Sequence, residues 1–531
     1  MKVADFFCGG GGFSEGFRQA GFDVVFAVDK WEPAVITHKA NHPKCKTIKM
    51  DIIELSNLPD KEFHEKIPDT EIIIGSPPCV AFSSSNKSGK GDKTMGIKLI
   101  KAFLKIVYRK KYKKDSILKY WILENVPNAQ KYIKEYYTSE ELGISGGSER
   151  LQIFKESTNV YAALDYAAPT KRKRFICGDF ITPKKIIIDN EKLTLGYILK
   201  TLGEPCTRDR LVKDPNWNFK MKSSLISDLN YISEVADFEW KKAKRLKQDK
   251  GYMGKMAFPE RLDQPARTIM ATMSTSSRES FILGYKEGSF RLPTVREVAT
   301  IMSFPIDYRF YGKSESIKYK LVGNAVPPKF SYALGIAIAN EENMKIPEKH
   351  VKIKHDKSIS FTDLNFKIIP LNKEKRKKIT SKFKYHIPYM IINTYRVELT
   401  NHNSDFKNEN FIWNTEIHKS QGSTAKIIRI DKEDIILENK LIDKINKLVL
   451  DIKNKVVSFD NLQYNFTLTD FERDYNSWGP YEVLDSIKIF IDNQIDNIEL
   501  NRMIQIKEEK IPFGTLVGYY ILLEFLEKLK G

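Results

Sequence analysis

The first 180 residues alternate short apolar runs with segments of helical periodicity. Apolar runs at residues 3–7, 24–28, 47–50, 71–74 and 121–123 predict buried strands. Helical patterns lie at residues 14–21, 34–40 and 97–111. Strands that alternate with helices are typical of α/β domains, so the sequence predicts this fold class for the N-terminal part of the chain.

The pattern changes near residue 340. Residues 341–380 are rich in lysine and contain two prolines, which predicts a connector. Residues 381–531 again alternate strand-like runs, such as 426–430, with helical runs, such as 517–529. We therefore expect an extra C-terminal α+β domain, and we recognise no functional motif in it.

Charge is distributed unevenly along the 531 residues. The net charge is +19. Residues 1–340 carry 56 Lys and Arg against 39 Asp and Glu, whereas residues 341–531 carry 31 against 29. A basic excess often serves only solubility, but its concentration on one part of the chain favours a polyanionic partner for that part.

Several classes of protein are disfavoured by what the sequence lacks. No run of about 18 apolar residues occurs, so we expect no membrane span. The first predicted strand begins almost at Met1, which leaves no room for a signal peptide. The five cysteines form no CxxC pair, so we expect neither a disulfide framework nor a bound metal. These features together indicate a cytoplasmic protein with reduced thiols.

Residues 75–83 contain the strongest candidate for covalent chemistry. They follow the apolar run at 71–74, and Gly75 with two prolines ends that strand abruptly. Cys79 is therefore predicted to lie at a rigid strand end, followed by a polar, basic loop at 83–93. The pattern fits a nucleophilic thiol acting on a nucleic acid, and it fits equally well a buried cysteine that serves as a small apolar residue.

A glycine-rich turn at residues 8–13 follows the first predicted strand and precedes a helix. Strand, glycine-rich turn and helix form the start of a nucleotide-binding unit, and NAD and FAD proteins share this pattern. Asp29 ends the second predicted strand, where it could accept hydrogen bonds from ribose hydroxyls. Asp51 ends the third, where it could reach an adenine edge or simply cap the next helix. The pattern favours an adenosine-type cofactor.

Three further polar residues follow apolar runs. Glu124 ends the predicted strand at 121–123, which suits acid chemistry or base recognition, and a capping role explains it as well. Arg172 and Arg174 alternate, so they would share one face of a strand. Taken alone, the basic run 171–174 is more often a solvated patch.

These motifs occur in the order seen in DNA cytosine-5 methyltransferases, which the chain resembles over roughly residues 1–340. The matching stretches are the glycine-rich turn 5–13, Pro78-Cys79, Glu124-Asn125-Val126, Arg172-x-Arg174, the segment 291–299 and Gly323-Asn324-Ala325-Val326-Pro327-Pro328. Each stretch is modest alone, but their common order is specific. The resemblance implies a Rossmann-like S-adenosyl-L-methionine-dependent methyltransferase domain.

The resemblance also implies a role for each catalytic candidate. Cys79 would add to C6 of cytosine so that C5 can attack the methyl group of the cofactor. Glu124 would hold N3 and the exocyclic amine, and Arg172 and Arg174 would orient the base and Glu124. The target base would be flipped out of double-stranded DNA, because C6 cannot be reached inside a duplex.

The same resemblance implies the cofactor-binding residues, and no metal. They are Phe7, Gly9, Gly11, Gly12, Asp29, Asp51, Pro78, Asn324 and Val326. Lys30 follows Asp29 where an apolar residue often packs on adenine, and Trp31 could take that place.

The implied architecture has four parts. Residues 1–180 form the catalytic domain, completed by 320–340, and residues 181–319 form a smaller target-recognition region and hinge. The basic connector 341–380 and the accessory domain 381–531 follow. We expect a monomer with double-stranded DNA as partner, a protein partner for the accessory domain, and a place in the bacterial cytosol at the nucleoid.

Two other functions compete with this interpretation. An RNA cytosine-5 methyltransferase would share the motifs, although the roughly 110 residues at 181–290 favour DNA. A non-catalytic DNA-binding regulator could keep the fold without the intact catalytic candidates. Because all matching motifs precede residue 341, we also expect residues 1–345 to fold alone, bind the cofactor and methylate the same sequence.

Overall fold

The computed structural model describes residues 1–531 apart from 79–92, 207–208, 250–255, 421–424, 470, 475 and 531. The chain divides into two compact units. The first contains residues 1–235, 259–275 and 279–371, and the second contains residues 236–258, 276–278 and 372–531. Residues 236–258 and 276–278 lie within the stretch that we assigned to the recognition region, and they belong to the second unit.

The N-terminal half of the first unit alternates strands and helices. In chain order these are β1 (Lys2–Phe6), α1 (Gly12–Gln19), β2 (Asp23–Asp29), α2 (Glu32–Asn41), β3 (Lys46–Lys49), α3 (Ile52–Ser56), α4 (Asp60–Lys66), β4 (Ile72–Gly75), α5 (Thr94–Lys111), β5 (Tyr120–Asn125), β6 (Tyr136–Thr138), β7 (Arg150–Gln152), β8 (Asn159–Ala162) and β9 (Lys173–Asp179).

Seven of these strands form one mixed sheet. Their order is β3-β2-β1-β4-β5-β9-β8, and β9 runs antiparallel to both of its neighbours while β1 to β5 are parallel. Ile72, Ile74 and Trp121 are fully buried, as expected for parallel strands that are covered on both faces. The mixed sheet with its helices confirms the predicted α/β class.

Strand order reverses between β1 and β4. At such a point the carboxyl ends of neighbouring strands diverge and leave a crevice for a ligand. The glycine-rich turn follows β1, and residues 76–78 follow β4. The topology therefore brings the two most informative stretches of the sequence to one edge of the sheet.

The rest of the chain up to residue 341 adds short hairpins and four helices. These are α6 (Leu195–Leu202), β10 (Leu211–Lys213), β11 (Lys220–Lys222), α7 (Asp237–Gln248), β12 (Leu283–Gly284), β13 (Phe290–Arg291), α8 (Val295–Ile301), α9 (Glu315–Asn324) and α10 (Pro328–Glu341). Of these, α7 belongs to the second unit.

Helix α10 packs closely against α1. The Ser331 hydroxyl donates to the carbonyl of Gly12 over 3.0 Å. A Cβ added at Gly16 would lie 1.9 Å from Ser331 Oγ and 2.5 Å from the Pro328 carbonyl oxygen. Glycine at position 16 therefore permits the close approach that joins the end of the matched region to its beginning.

The stretch 291–299 serves the core of the first unit. Arg291 forms two 2.7 Å hydrogen bonds with the carboxylate of Glu297, and Thr294 and Glu297 form a capping box at the start of α8. Arg296 is fully buried and donates to the carbonyls of Ser227, Pro305 and Tyr308. These charges therefore stabilise packing away from the sheet edge.

Residues 341–371, most of the stretch that we predicted to be a connector, pack into the first unit. The Val351 carbonyl accepts hydrogen bonds from Arg18 and Gln19 of α1. The Asn365 side chain accepts from the backbone N–H groups of Leu229 and Asn230, each over 2.8 Å. The first unit thus extends about 30 residues past α10.

The second unit has its own sheet and helices. They are β14 (Lys384–His386), β15 (Tyr395–Thr400), β16 (Asn414–Lys419), β17 (Lys426–Ile428), α11 (Asn439–Lys453), α12 (Phe459–Thr467), α13 (Pro480–Gln494), α14 (Asn497–Asn501), β18 (Met503–Ile506), β19 (Glu509–Pro512) and α15 (Phe513–Lys530). Strands β14 to β17 pair antiparallel in that order.

A separate apolar core holds the second unit together. Trp413, Ile487 and Phe525 are fully buried in it. Throughout the part of the chain that the structure describes, no helix combines the length and the apolar character needed to cross a membrane.

Candidate active site

A cavity of about 530 Å³ opens at the carboxyl edge of the central sheet, within the first unit. Its wall includes ten of the residues predicted to form the site: Phe7, Gly9, Asp29, Asp51, Pro78, Glu124, Arg172, Arg174, Asn324 and Val326. These residues come from sequence positions more than 300 apart. The fold therefore brings the predicted cofactor-binding and catalytic groups into one space.

Three of the predicted residues are not among those that line the cavity. Cys79 lies outside the described residues, and Pro78 is the last described residue before it. Gly11 and Gly12 lie behind the wall, where a Cβ would come within 2.1 Å of Tyr308 Oη and of the Val326 carbonyl oxygen respectively. The structure thus assigns these two glycines to close packing.

Asp29 is fixed by the backbone around it. Its Oδ2 accepts from the Gly9 N–H over 3.0 Å, and its Oδ1 accepts from the Trp31 N–H over 2.8 Å. Burial raises the pKa of Asp29, and these backbone donors act in the opposite direction. The carboxylate joins the glycine-rich turn after β1 to the end of β2, and its remaining lone pairs can accept from ligand hydroxyls.

Asp51 fulfils both roles that its sequence context allowed. It caps α3, since its Oδ1 accepts from the Ile53 N–H over 2.8 Å. It also lines the cavity beside Ile52. Lys30 Nζ lies 3.6 Å from Asp51 Oδ2, so Lys30, which departs from the family pattern, forms an ion pair at the rim.

Trp31 and Lys320 line the cavity together. The ammonium of Lys320 lies 5.0 Å from the centroid of the indole ring, within range of a cation–π interaction. Lys320 precedes Asn324 by four residues in α9, so the two share one face of the helix. That spacing was the signal that could have identified Lys320, which we did not predict.

Glu124 is 6% exposed at the end of β5. Arg174 Nε lies 2.7 Å from Glu124 Oε1. Burial raises the pKa of Glu124 above its ordinary value, while Arg174 and Arg172 act to lower it. Desolvation therefore outweighs two nearby guanidinium groups, and the acid retains its proton to a higher pH than a solvated glutamate.

The neighbouring residue connects this acid to the proline stretch. Asn125 Nδ2 donates to the Pro77 carbonyl over 3.1 Å. Pro77 precedes Cys79 by two residues, so the end of β5 and the end of β4 are held together. Arg172 points elsewhere, since its Nη1 donates to the Ile269 carbonyl over 3.2 Å.

A buried polar chain supports the glycine-rich turn from behind. The Ser14 hydroxyl donates to Asp5 Oδ2 over 2.6 Å, and His38 Nε2 lies 2.9 Å from the same hydroxyl. His38 Nδ1 lies 2.9 Å from Thr47 Oγ1. Burial raises the pKa of Asp5 to about 7 and lowers that of His38 to about 3. These groups link β1, α1, α2 and β3 beneath the cavity.

The second unit contains a separate polar cluster. Glu398, Glu416 and His418 could together hold a metal ion. However, Lys384 Nζ lies 3.2 Å from Glu398 Oε2 and 3.8 Å from Glu416 Oε2, and Arg396 pairs with Glu398. Side-chain cations thus already balance the two carboxylates, and we interpret the cluster as an ion-pair network.

Comparisons with known proteins agree on a family. The family described as C-5 cytosine-specific DNA methylase matches residues 1–340. The type II methyltransferase M.MthTI of Methanothermobacter thermautotrophicus is 29% identical over 361 residues, which cover 64% of this chain and 98% of the relative. The type II methyltransferase M.DdeI of Desulfomicrobium norvegicum is 25% identical over 410 residues, which cover 68% and 94%.

Among solved structures, the S. pombe Dnmt2 methyltransferase covers 65% of this chain and 100% of its own, at 18% identity and a TM-score of 0.42. The family match ends within α10, so residues 372–531 of the second unit lie beyond it.

Proposed function

Because the chain belongs to the C-5 cytosine-specific DNA methylase family, we propose that it transfers a methyl group from S-adenosyl-L-methionine to C5 of a cytosine in a specific double-stranded DNA sequence. The observation that carries the proposal is the single cavity of about 530 Å³, whose wall includes Asp29, Asn324, Glu124 and Arg174. Cofactor and base can therefore be held in one space.

The cavity wall suits the proposed cofactor, which supplies a methyl group on a positively charged sulfonium. Asp29 is held by two backbone N–H groups and can accept from ribose hydroxyls. Trp31 offers an aromatic face for adenine. Gly9 and Gly10 bring backbone to the cavity, and a Cβ at Gly10 would lie 2.6 Å from the Leu321 carbonyl oxygen. The chemistry of this donor set fits the group.

Cys79 would begin the reaction on the base. Its thiolate would add to C6 of the flipped cytosine, and the bond would make C5 nucleophilic. After methyl transfer, loss of the C5 proton would reform the C5–C6 double bond and release the thiolate. An ordinary thiol has a pKa of about 8.5, so the site must favour the thiolate.

Glu124 would act at N3 of the same base. A carboxylic acid with a raised pKa can donate a proton there, which offsets the negative charge that thiolate addition creates. The contact between Arg174 Nε and Glu124 Oε1 would orient the acid. Arg172 would support this edge of the site from the bond with Ile269.

We further propose that the protein is the modification enzyme of a restriction–modification system, since its relatives are type II methyltransferases. Such an enzyme would work as a monomer on DNA in the cytoplasm, at the nucleoid. The basic excess of residues 1–340 supports an interaction with the phosphate backbone.

Bisulfite sequencing of DNA from a host that expresses the chain tests the activity and identifies the target. We expect methylated cytosines in one sequence context, and none with C79A. Purified protein should also form a covalent complex with DNA that contains 5-fluorocytosine, because fluorine cannot leave as the C5 proton does. Covalent trapping by C79A would contradict the assignment, and methylation of tRNA in place of duplex DNA would favour the RNA alternative.

A further inference from the structure

The chain passes repeatedly between the two units inside the stretch that we assigned to target recognition. It enters the second unit at residues 236–258, returns for residues 259–275, and enters the second unit again at residues 276–278. Residues 259–275, called here the bridging segment, therefore belong to the first unit, while both of their ends continue directly into residues of the second.

Arg245 anchors the N-terminal side. It lies in α7, and its Nη2 is 2.5 Å from Asp485 Oδ2 of α13. Its guanidinium also lies 4.7 Å from the ring centroid of Tyr481 and 5.2 Å from that of Tyr385. A planar cation between two aromatic rings and a carboxylate is held in a defined orientation.

Asp249, just past α7, forms a second anchor. Its Oδ2 accepts from the Tyr385 hydroxyl over 2.9 Å and lies 3.1 Å from His386 Nε2. Its Oδ1 accepts from the Tyr389 N–H over 2.6 Å. All three partners belong to the β14 region of the second unit.

The C-terminal side of the bridging segment reaches the same place. Arg278 Nη1 donates to the carbonyl of Leu246 and, over 2.9 Å, to the carbonyl of Asp249. The residues that flank the bridging segment are therefore joined to each other and to the sheet of the second unit.

Between these anchors, the bridging segment packs beside the proposed catalytic groups of the first unit. The Lys171 N–H donates to the Ala266 carbonyl over 2.8 Å. The Ile269 carbonyl accepts from Arg172 Nη1 over 3.2 Å. A Cβ at Gly323 would lie 2.4 Å from the Met270 carbonyl oxygen. The segment thus touches the stretches that carry Arg172 and Asn324.

We propose that the second unit is a positioning element for methyl transfer: through Arg245 and Asp249 it fixes both ends of the bridging segment, and thereby the carbonyl that orients Arg172. The inference rests on the proposed function for its effect on rate. A segment with fixed ends samples fewer conformations than one with free ends, so each anchor narrows the positions of Ile269. Arg245 and Asp249 are positioning residues, since neither lines the cavity.

The test compares R245A with R473A in the full-length chain. Arg473 is a matched control, because its Nη1 lies 3.0 Å from Glu482 Oε1 of the same helix α13 and it contacts no residue of α7 among those described. We expect R245A to lower the single-turnover rate of methyl transfer by about 10-fold or more, as small misplacements at a site can do. The Kd for S-adenosyl-L-methionine should stay within about twofold, and R245K should restore part of the rate.

Hydrogen exchange supplies a readout that does not need activity. The amides of Lys171 and Ala266 should exchange faster in R245A than in R473A, because a released bridging segment would open these hydrogen bonds. If R245A does not fold, R245K and D249N provide the same comparison with smaller perturbations.

The two hypotheses fail in different ways. A wild-type protein that never methylates DNA would overturn the proposed function, and amide exchange would still decide whether the second unit holds the bridging segment. Equal exchange and equal rates in R245A and R473A would overturn the positioning role.

Discussion

Glu124 is subject to opposing influences, and burial prevails over two arginines in setting the direction of its pKa shift. Arg174 pairs with the carboxylate at 2.7 Å, which favours the charged form, whereas 6% exposure favours the neutral form. A group balanced in this way can hold a proton in one step and release it in the next.

The first prediction concerns E124Q. Glutamine keeps the shape but cannot donate a proton, so we expect single-turnover methyl transfer to fall by about 10²-fold or more. Because the pKa of Glu124 is raised, the wild-type rate should decline as pH rises through that value, and E124Q should lose this decline. Rates measured between about pH 5 and 9 check both effects.

E342Q is the control for this experiment, since Glu342 pairs with Lys119 away from the cavity. It should keep the wild-type rate and pH profile. Near wild-type turnover in E124Q would instead return Glu124 to a capping role.

Single residues were predicted well where a polar group follows an apolar run. Asp29 and Glu124 were found in this way, because a strand end leads directly to the sheet edge. Lys320 and Ile269 were missed, because they reach the site only through contacts with Trp31 and Arg172, which are distant in sequence. Gly11 and Gly12 illustrate the opposite case: the motif identified them, but their neighbours Tyr308 and Val326 give them a packing role.

At the scale of elements, α1 and α10 close the first unit. Gly16 faces Ser331, and the space between the two helices has no room for a methyl group. The contact holds the glycine-rich turn of β1 beside the Asn324 motif, so helix packing and cofactor binding depend on the same position.

The second prediction is that G16A destabilises the first unit. Alanine gains about 1 kcal/mol of helix propensity over glycine, but its Cβ would meet Ser331 Oγ at 1.9 Å. We expect a net loss of about 1–3 kcal/mol, as for other overpacked positions, and weaker cofactor binding.

Urea unfolding and titration with S-adenosyl-L-methionine measure the two effects. G284A is the control, because a Cβ there would meet its nearest neighbour at 3.8 Å. An equal response from both variants would show that the two helices can move apart without loss.

Strands were easier to predict than their partners. The apolar runs at 24–28 and 121–123 correspond to β2 (Asp23–Asp29) and β5 (Tyr120–Asn125), because a buried parallel strand is apolar on both faces. The helical pattern of α7 shows that one face is buried, but not against what. Its partners Asp485 and Tyr481 lie more than 230 residues further along, beyond the reach of local patterning.

At the scale of the whole molecule, the two units are interleaved along the chain. The second unit takes residues 236–258 from the middle of the sequence, and the first unit takes residues 341–371 from beyond the family match. Neither unit is therefore a continuous stretch that can be cut free at one peptide bond.

The third prediction revises the sequence-based expectation for a fragment of residues 1–345. Truncation there removes Val351, which accepts from Arg18 and Gln19, and removes every partner of Arg245 and Asp249 described above. The apolar face of α7 would then be exposed. We expect the fragment to aggregate, or to bind the cofactor without methylating DNA.

Purification of the fragment by gel filtration, followed by sequencing of its methylation products, decides the matter. Extension to residue 371 should restore the contacts of Val351 but not those of α7. A soluble 1–345 fragment that methylates the same sequence as the full chain would contradict the prediction.

The distance between Arg245 and Asp485 also sets an order of events during synthesis. The two residues are 240 positions apart, so at ribosomal speeds of roughly 5–20 residues per second the helix waits roughly 10–50 s for its partner. The first unit receives its last residues well before that moment. Nascent chains should therefore carry α7 as an unfolded or chaperone-bound loop on an otherwise complete catalytic unit, and the protein should become active only when the ribosome has nearly finished.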